Sequence, residues 1–166
     1  MEGVPIRNAR RGDIPSLLLL WEAMMKENAA ADPRLGLHPR SREHMTAEFA
    51  KWLNDPKHCV VVAEEGGHLV VGFAAASVSP GNGFQVPQTL GRISDCFVAR
   101  PRRRLGIGRR LTGRLTDLLY EKGVGTVRVA VAVQNEGARA FWNSMGWHDL
   151  EEVLERPIEG AQPPAE

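Results

Sequence analysis

The chain predicts a single α/β domain built around a mixed sheet. Its strand-like and helix-like stretches alternate as β-α-α-β-β-β-α-β-α-β, an order that lays helices on the faces of a sheet. A β-branched run, a glycine-bearing basic loop and an amphipathic helix follow one another directly from Arg92 to Leu118. At 166 residues the chain is long enough to bury one continuous core without disulfides or a structural metal. The expected domain spans residues 1–158, and the Pro- and Glu-bearing residues 159–166 read as a disordered tail.

Residues 4–7 form a short first strand. Asp13 then caps a helix whose first turn holds Pro15, where a missing N–H costs least, and which runs to about Asn28 with the run Leu17, Leu18, Leu19, Leu20 and Trp21 as its buried face. Pro33, Gly36 and Pro39 make residues 28–40 a loop. Ser41 caps a second helix carrying Met45, Phe49, Trp52 and Leu53 on one face, ended by Asn54, Asp55 and Pro56. The β-rich runs 58–64 and 69–79, joined by Glu65, Gly66, Gly67 and His68, predict an antiparallel hairpin. Residues 80–89 are loop and 92–98 a strand. Beyond the basic loop, Ile107, Leu111, Leu115 and Leu118 share one helical face, and Gly123 and Gly125 close that helix. Residues 126–133 predict a strand, 136–145 a short helix and 148–157 a final strand.

The 21 Lys plus Arg against 20 Asp plus Glu leave a formal net charge of +1, so no overall field draws the chain to nucleic acid or an anionic membrane. The basicity is local, with seven arginines within residues 100–114. The chain opens on neither a leader pattern nor an apolar run of membrane-spanning length, and Cys59 and Cys96 sit in apolar runs. A soluble, cytoplasmic protein is expected. The five histidines fall in different elements without ligand spacing, so no metal is expected.

The loop between Val98 and Leu111 suits phosphate. Gly106 and Gly108 lack Cβ atoms, so backbone amides can close on an anion while the free N–H groups and positive dipole of the following helix point at it. The spacing is neither a Walker loop nor a dinucleotide fingerprint; it reads R-x-x-G-x-G through Arg103, Gly106 and Gly108.

In that spacing, after a strand ending at Val98, the loop resembles the pyrophosphate-binding loop of the GNAT acetyl-CoA-dependent N-acetyltransferases. A second block about thirty residues on is similar to the same family, with Asn135, Ala138, Phe141, Trp142, Gly146 and Trp147 in register. Together with the amino-terminal pattern the likeness extends over nearly the whole chain, the two blocks being its specific part. It implies a three-layer domain around a mixed, mostly antiparallel, centrally splayed sheet. It also implies acetyl-CoA as co-substrate, a primary amine as acceptor, and direct attack in a ternary complex without an acyl-enzyme. Carried over by position, Phe97 and Val98 offer main-chain groups to the pantetheine arm. The amides of Arg103, Arg104, Leu105, Gly106, Ile107, Gly108 and Arg109 take the pyrophosphate, Asn135 lies beside the arm, and Trp142 lies near the thioester.

An ammonium has no lone pair with which to attack, so its proton must be removed. Many members of the family place an acid on the strand before the loop. Asp95, the one carboxylate between Gly91 and Arg100, is the candidate catalytic base; orienting a cationic substrate or pairing with an arginine stay open as alternatives. Where the family commonly has an acidic tyrosine this chain has Trp142, whose indole is no acid at neutral pH. The one tyrosine, Tyr120, falls late in the helix after the loop. The thiolate is then protonated by water or another side chain, or leaves unassisted, which a thiol pKa of about 8.5 permits. Two further readings stay open: a non-catalytic acyl-CoA sensor of the same fold, suggested by Trp142, and an RNA-binding protein using the basic run 100–114. The interleaved glycines and the lack of aromatics in that run oppose the second. Acceptor choice falls to the first helix, the loops 28–40 and 80–89 and the last strand, with Asp32, Glu48, Glu64 and Asp95 as anchors for a cationic amine. Self-association into a homodimer stays open.

Overall fold

The computed structural model describes residues 3–84, 89–158 and 160. Strands β1 (Ile6–Asn8), β2 (His58–Glu65), β3 (Leu69–Pro80) and β4 (Thr89–Val98) pair antiparallel in sequence order, and β5 (Thr126–Val129) joins β4 in parallel. Helices α1 (Ile14–Ala31) and α2 (Ser41–Trp52) cover one face; α3 (Ile107–Glu121) and α4 (Glu136–Asn143) cover the other. Side-chain alternation sorts the strands between two cores. Val60 and Val62 point to Leu17, Trp21 and Phe49, whereas Val61 and Ala63 point to Leu111, Leu115 and Leu119. Burial on both faces explains why β2 and β3 read as unbroken apolar runs although they pair antiparallel. Their hairpin turns through Gly66 and Gly67, with φ of +63° and +76°, a geometry that L side chains resist.

Two expected strands change. The strand expected over 126–133 stops at Val129, and the final strand expected over 148–157 is not formed. Residues 148–158 are irregular, with Val153 and Leu154 each 86% exposed. A strand needs a ladder partner, and beyond Val129 the chain has left β4 while, among the described residues, no strand lies along the outer edge of β5. The helix expected over 136–145 ends at Asn143, and α1 runs on to Ala31. The expected tail lies, apart from Gly160, outside the described residues.

Asp13 stands before α1 as expected, yet its carboxylate does not cap that helix. It takes a two-pronged bond from Arg7 at 2.7 and 2.9 Å and one from the Arg10 amide at 2.6 Å; Arg7 also binds Glu64. Ser41 likewise is the first residue of α2, with Arg40 at the cap. The Arg7 bond, helped by the Arg10 amide, holds the Asp13 carboxyl below its ordinary range. A depressed carboxyl stabilises the fold above the ordinary carboxylate range, and that contribution is lost as pH falls through the lowered value. Arg7→Met therefore costs about 3 kcal/mol by urea denaturation at pH 7, because it strands two part-buried carboxylates. The difference from the parent shrinks below about pH 4.

Candidate active site

β4 pairs with β5 only from Leu90 opposite Thr126 to Ile93 opposite Val129. From Ser94 onward its outer edge has no strand beside it among the described residues, and the sheet splays open there. The parting coincides with a bulge: Ala75 faces Asp95 and the next residue of β3, Ala76, faces Ile93, leaving Ser94 as the extra residue. The bulge resets the alternation. Strict alternation would put Asp95 on the same face as Ile93; instead Ile93, Cys96 and Val98 face α3, while Asp95 and Phe97 face the α1 layer.

Asp95 is 8% exposed and forms no ion pair among the described residues, so the arginine pairing left open by the sequence is not made. Burial pushes its carboxyl up, and the Ser94 hydroxyl opposes that only in part. The other expected acidic anchors are engaged. Asp32 holds Arg34, Glu64 holds Arg7, and Glu48 accepts the Trp52 indole N–H at 3.1 Å. Next to Asp95, burial and then the Asp95 charge push the Cys96 thiol up to about 12, so it is protonated at neutral pH and is no nucleophile.

At the carboxyl end of β4 the chain makes a single 3-10 turn over Arg100–Arg102, and Arg104 and Gly106 then take left-handed conformations with φ of +65° and +74°. Gly106 caps α3 and has no side chain to offer its amides. The first amide bonded back along the helix is that of Arg110, to the Gly106 carbonyl at 3.1 Å, so the amides of Ile107, Gly108 and Arg109 have no carbonyl one turn behind them. Left-handed residues in a tight turn ahead of a helix start can turn successive N–H groups inward, a concavity that suits an anion. The two glycines serve differently. Open space surrounds Gly106 and its dihedral angle is the constraint, whereas a Cβ on Gly108 would meet the Phe141 ring at 3.0 Å. The two sequence blocks thus pack directly on each other.

The arginine run is divided among partners within the chain. Arg100 and Arg103 both bind Glu27, Arg102 binds Glu65, and Arg109 and Arg110 donate to the Ser144 and Val4 carbonyls. Burial alone would raise the Glu27 carboxyl; the hydrogen bonds from Arg100 and Arg103 outweigh it and hold it below the usual range. Arg103 lies 5.0 Å above the Phe97 ring and donates from Nε to the Val98 carbonyl at 2.8 Å. That carbonyl is on the open edge, whereas the Phe97 carbonyl is turned toward β3, 3.0 Å from where a Cβ of Gly72 would stand. Of the two residues expected to offer main-chain groups there, Val98 has its carbonyl on the open edge, where Arg103 already holds it. Beside them a cleft of about 470 Å³ opens between α1 and the end of β4, lined by Leu20, Ala23, Glu27, Phe97 and Arg100.

Asn135 caps α4, its Oδ1 accepting the Ala138 amide at 3.0 Å, and its Nδ2 donates to Asn28 Oδ1 at 3.2 Å, tying the start of α4 to the end of α1. Trp142 packs into the α3-side core between Phe141 and Trp147, edge-to-face at 5.1 and 4.9 Å, and is 6% exposed. Its indole is a core side chain, and Tyr120 is exposed at the far end of α3. Sequence reasoning missed Glu27, Asn28 and Ser94. Glu27 and Asn28 meet partners 73 to 107 residues away, and no local pattern marks such pairs.

The sequence pattern of the Acetyltransferase (GNAT) family matches residues 21–147, from within α1 to Trp147. The chain belongs to the GNAT family. No curated protein matches it. Among solved structures, this GNAT chain superposes on a tetramutant of the BH1408 protein from Bacillus halodurans with a TM-score of 0.82 at 19% identity, over 93% of this chain and 99% of that one. A predicted acetyltransferase from Clostridium acetobutylicum, solved with acetyl-CoA, gives a TM-score of 0.73 at 18% identity over 92% and 95% of the two chains. The aminoglycoside 6′-N-acetyltransferase AAC(6′)-IG from Acinetobacter haemolyticus gives 0.74 at 17% identity over 93% and 98%. At these identities the likeness establishes the fold. Of the segments assigned to acceptor choice in this GNAT chain, residues 85–88 lie outside the described residues, and none of the described helices is long and apolar enough to cross a membrane.

Proposed function

We propose that the protein transfers the acetyl group of acetyl-CoA to a primary amine by direct attack within a ternary complex. The observation that carries this reading is a buried carboxyl without a counter-charge among the described residues, Asp95, standing where β4 and β5 part, on the strand that leads to a cradle of amides with no side-chain cap. In this reading the amides from Arg103 to Arg109 take the diphosphate, the Val98 edge and Asn135 guide the pantetheine arm, and the thioester reaches the bulge. Asp95 removes the proton of the ammonium. The nitrogen then forms the N–C bond as the C–S bond breaks, its second proton passes to water, and the departing thiolate takes a proton from water, so the products are the neutral amide and the thiol. The raised carboxyl of Asp95 brings the base closer to the working pH, at the cost of ionising in a desolvated place.

Family membership and the acetyl-CoA-bound relative of the same fold support this reading. Titration calorimetry with acetyl-CoA, followed by coenzyme A release over a panel of amines, tests it; no heat of binding overturns it. Intersecting initial-rate lines are expected, and parallel lines would indicate an acyl-enzyme instead. Since the Cys96 thiol is protonated, Cys96→Ala keeps most of its turnover in the same assay.

A further inference from the structure

On the sheet face that carries Asp95, the part not covered by helices presents two arginines side by side. Arg92 of β4 stands in register with Arg128 of β5, and their neighbours Ile93, Val127 and Val129 all face α3, so both arginines point to the opposite side. Adjacent strands lie about 4.8 Å apart, so the two side chains leave the sheet as neighbours. Among the described residues neither makes a hydrogen bond or an ion pair, and Arg128 Nε is the one buried side-chain polar atom with no partner. Helix α1 packs on β3 and β4 and α2 on β2, which leaves Arg92 exposed and Arg128 part-exposed on an open floor.

A buried donor without an acceptor in the protein, beside a second guanidinium, is placed to bind an anion. The coenzyme does not supply it in the proposed mode. Its diphosphate cradle begins beyond Val98, six residues and roughly 20 Å along β4 from Arg92 at about 3.3 Å per residue. The pantetheine arm ends at the bulge, on the near side of the pair. Arg92 lies three residues before Asp95, roughly 10 Å along the strand, a span that a short flexible molecule bridges with an amine at one end and an anion at the other.

We propose that the acceptor is a small primary amine bearing an anionic oxygen group, a carboxylate or a phosphate, that binds between Arg92 and Arg128 and presents its nitrogen to Asp95. The proposal rests on the acetyl-transfer reading for the amine end and on the arginine pair for the anionic end, so the two ends are tested separately. Three amines of matched length serve as probes in the coenzyme A release assay: 6-aminohexanoate, 5-aminopentyl phosphate and hexylamine. At least one of the anionic amines should exceed hexylamine in kcat/KM by ten-fold or more, and which one leads identifies the anion. Arg128→Gln and Arg92→Gln should each narrow that gap at least ten-fold, through KM. Equal use of the three amines, or a preference that survives both substitutions, overturns the proposal.

If no amine is acetylated, the transfer reading fails on its own. Calorimetric binding of an anionic amine that is lost in Arg128→Gln then still upholds the anion site, and no binding overturns it. The melting temperature separates a binding role from a packing one. Removing an unpartnered guanidinium should leave it unchanged or raise it, whereas a fall with an unaltered KM would assign Arg128 to packing and overturn the proposal.

Discussion

Asp95→Asn is expected to lower kcat/KM for acetyl transfer by about 10²- to 10⁴-fold, the range that a positioned general base contributes, with the affinity for acetyl-CoA unchanged. The parent's pH–rate profile should show an ascending limb above the ordinary carboxylate range, because burial raises this carboxyl, and the variant should lack that limb. Stability should move the other way. An acid raised above its ordinary value of 3.8 adds stability that is fully present below that value and lost as pH rises through the raised one. At pH 8 the ionised carboxylate therefore weakens the fold. The variant should melt above the parent there, by a margin that closes toward pH 4. Undiminished turnover would remove Asp95 from the base role, and a lower melting temperature at pH 8 would make the carboxyl structural.

Gly108→Leu is expected to raise the Kd for acetyl-CoA by about 100-fold or more, which corresponds to losing roughly two charge-assisted bonds from amide to phosphate. A Cβ at this position meets the Phe141 ring at 3.0 Å, so the side chain must push α4 off the start of α3 and distort the cradle. Gly106 is the sharper control, because its surroundings are open and its left-handed φ of +74° is the constraint. Gly106→Val should weaken binding strongly, since a β-branched residue resists that conformation by about 1–2 kcal/mol or more, whereas Gly106→Asn should retain much of it. Calorimetry on folded variants reads this directly. Normal binding by Gly106→Val would show that the diphosphate sits elsewhere.

The parts of the site legible beforehand are local ones. The strand, the R-x-x-G-x-G loop and the helix are contiguous, and the constraint on Gly106 is a property of a single residue. Asp95 stood out because it is the one carboxylate on its strand. Trp142 was harder, because a motif position tells which element a residue occupies and not which way its ring turns; the ring turns into the core. The strand expected over 148–157 had suitable residues and no neighbour to pair with.

From composition and pattern came the class of fold and the glycine loop suited to phosphate, which follow from propensity, side-chain period and glycine dihedrals acting over a few residues; the family, and Asp95 as candidate base, came from the resemblance carried by the two blocks. Folding decided where β4 leaves β5, which face Asp95 takes after the bulge at Ser94, that Arg103 holds the Val98 carbonyl, and that Arg92 lies beside Arg128. Each of these depends on register between distant segments, and register is set by the burial of both sheet faces at once.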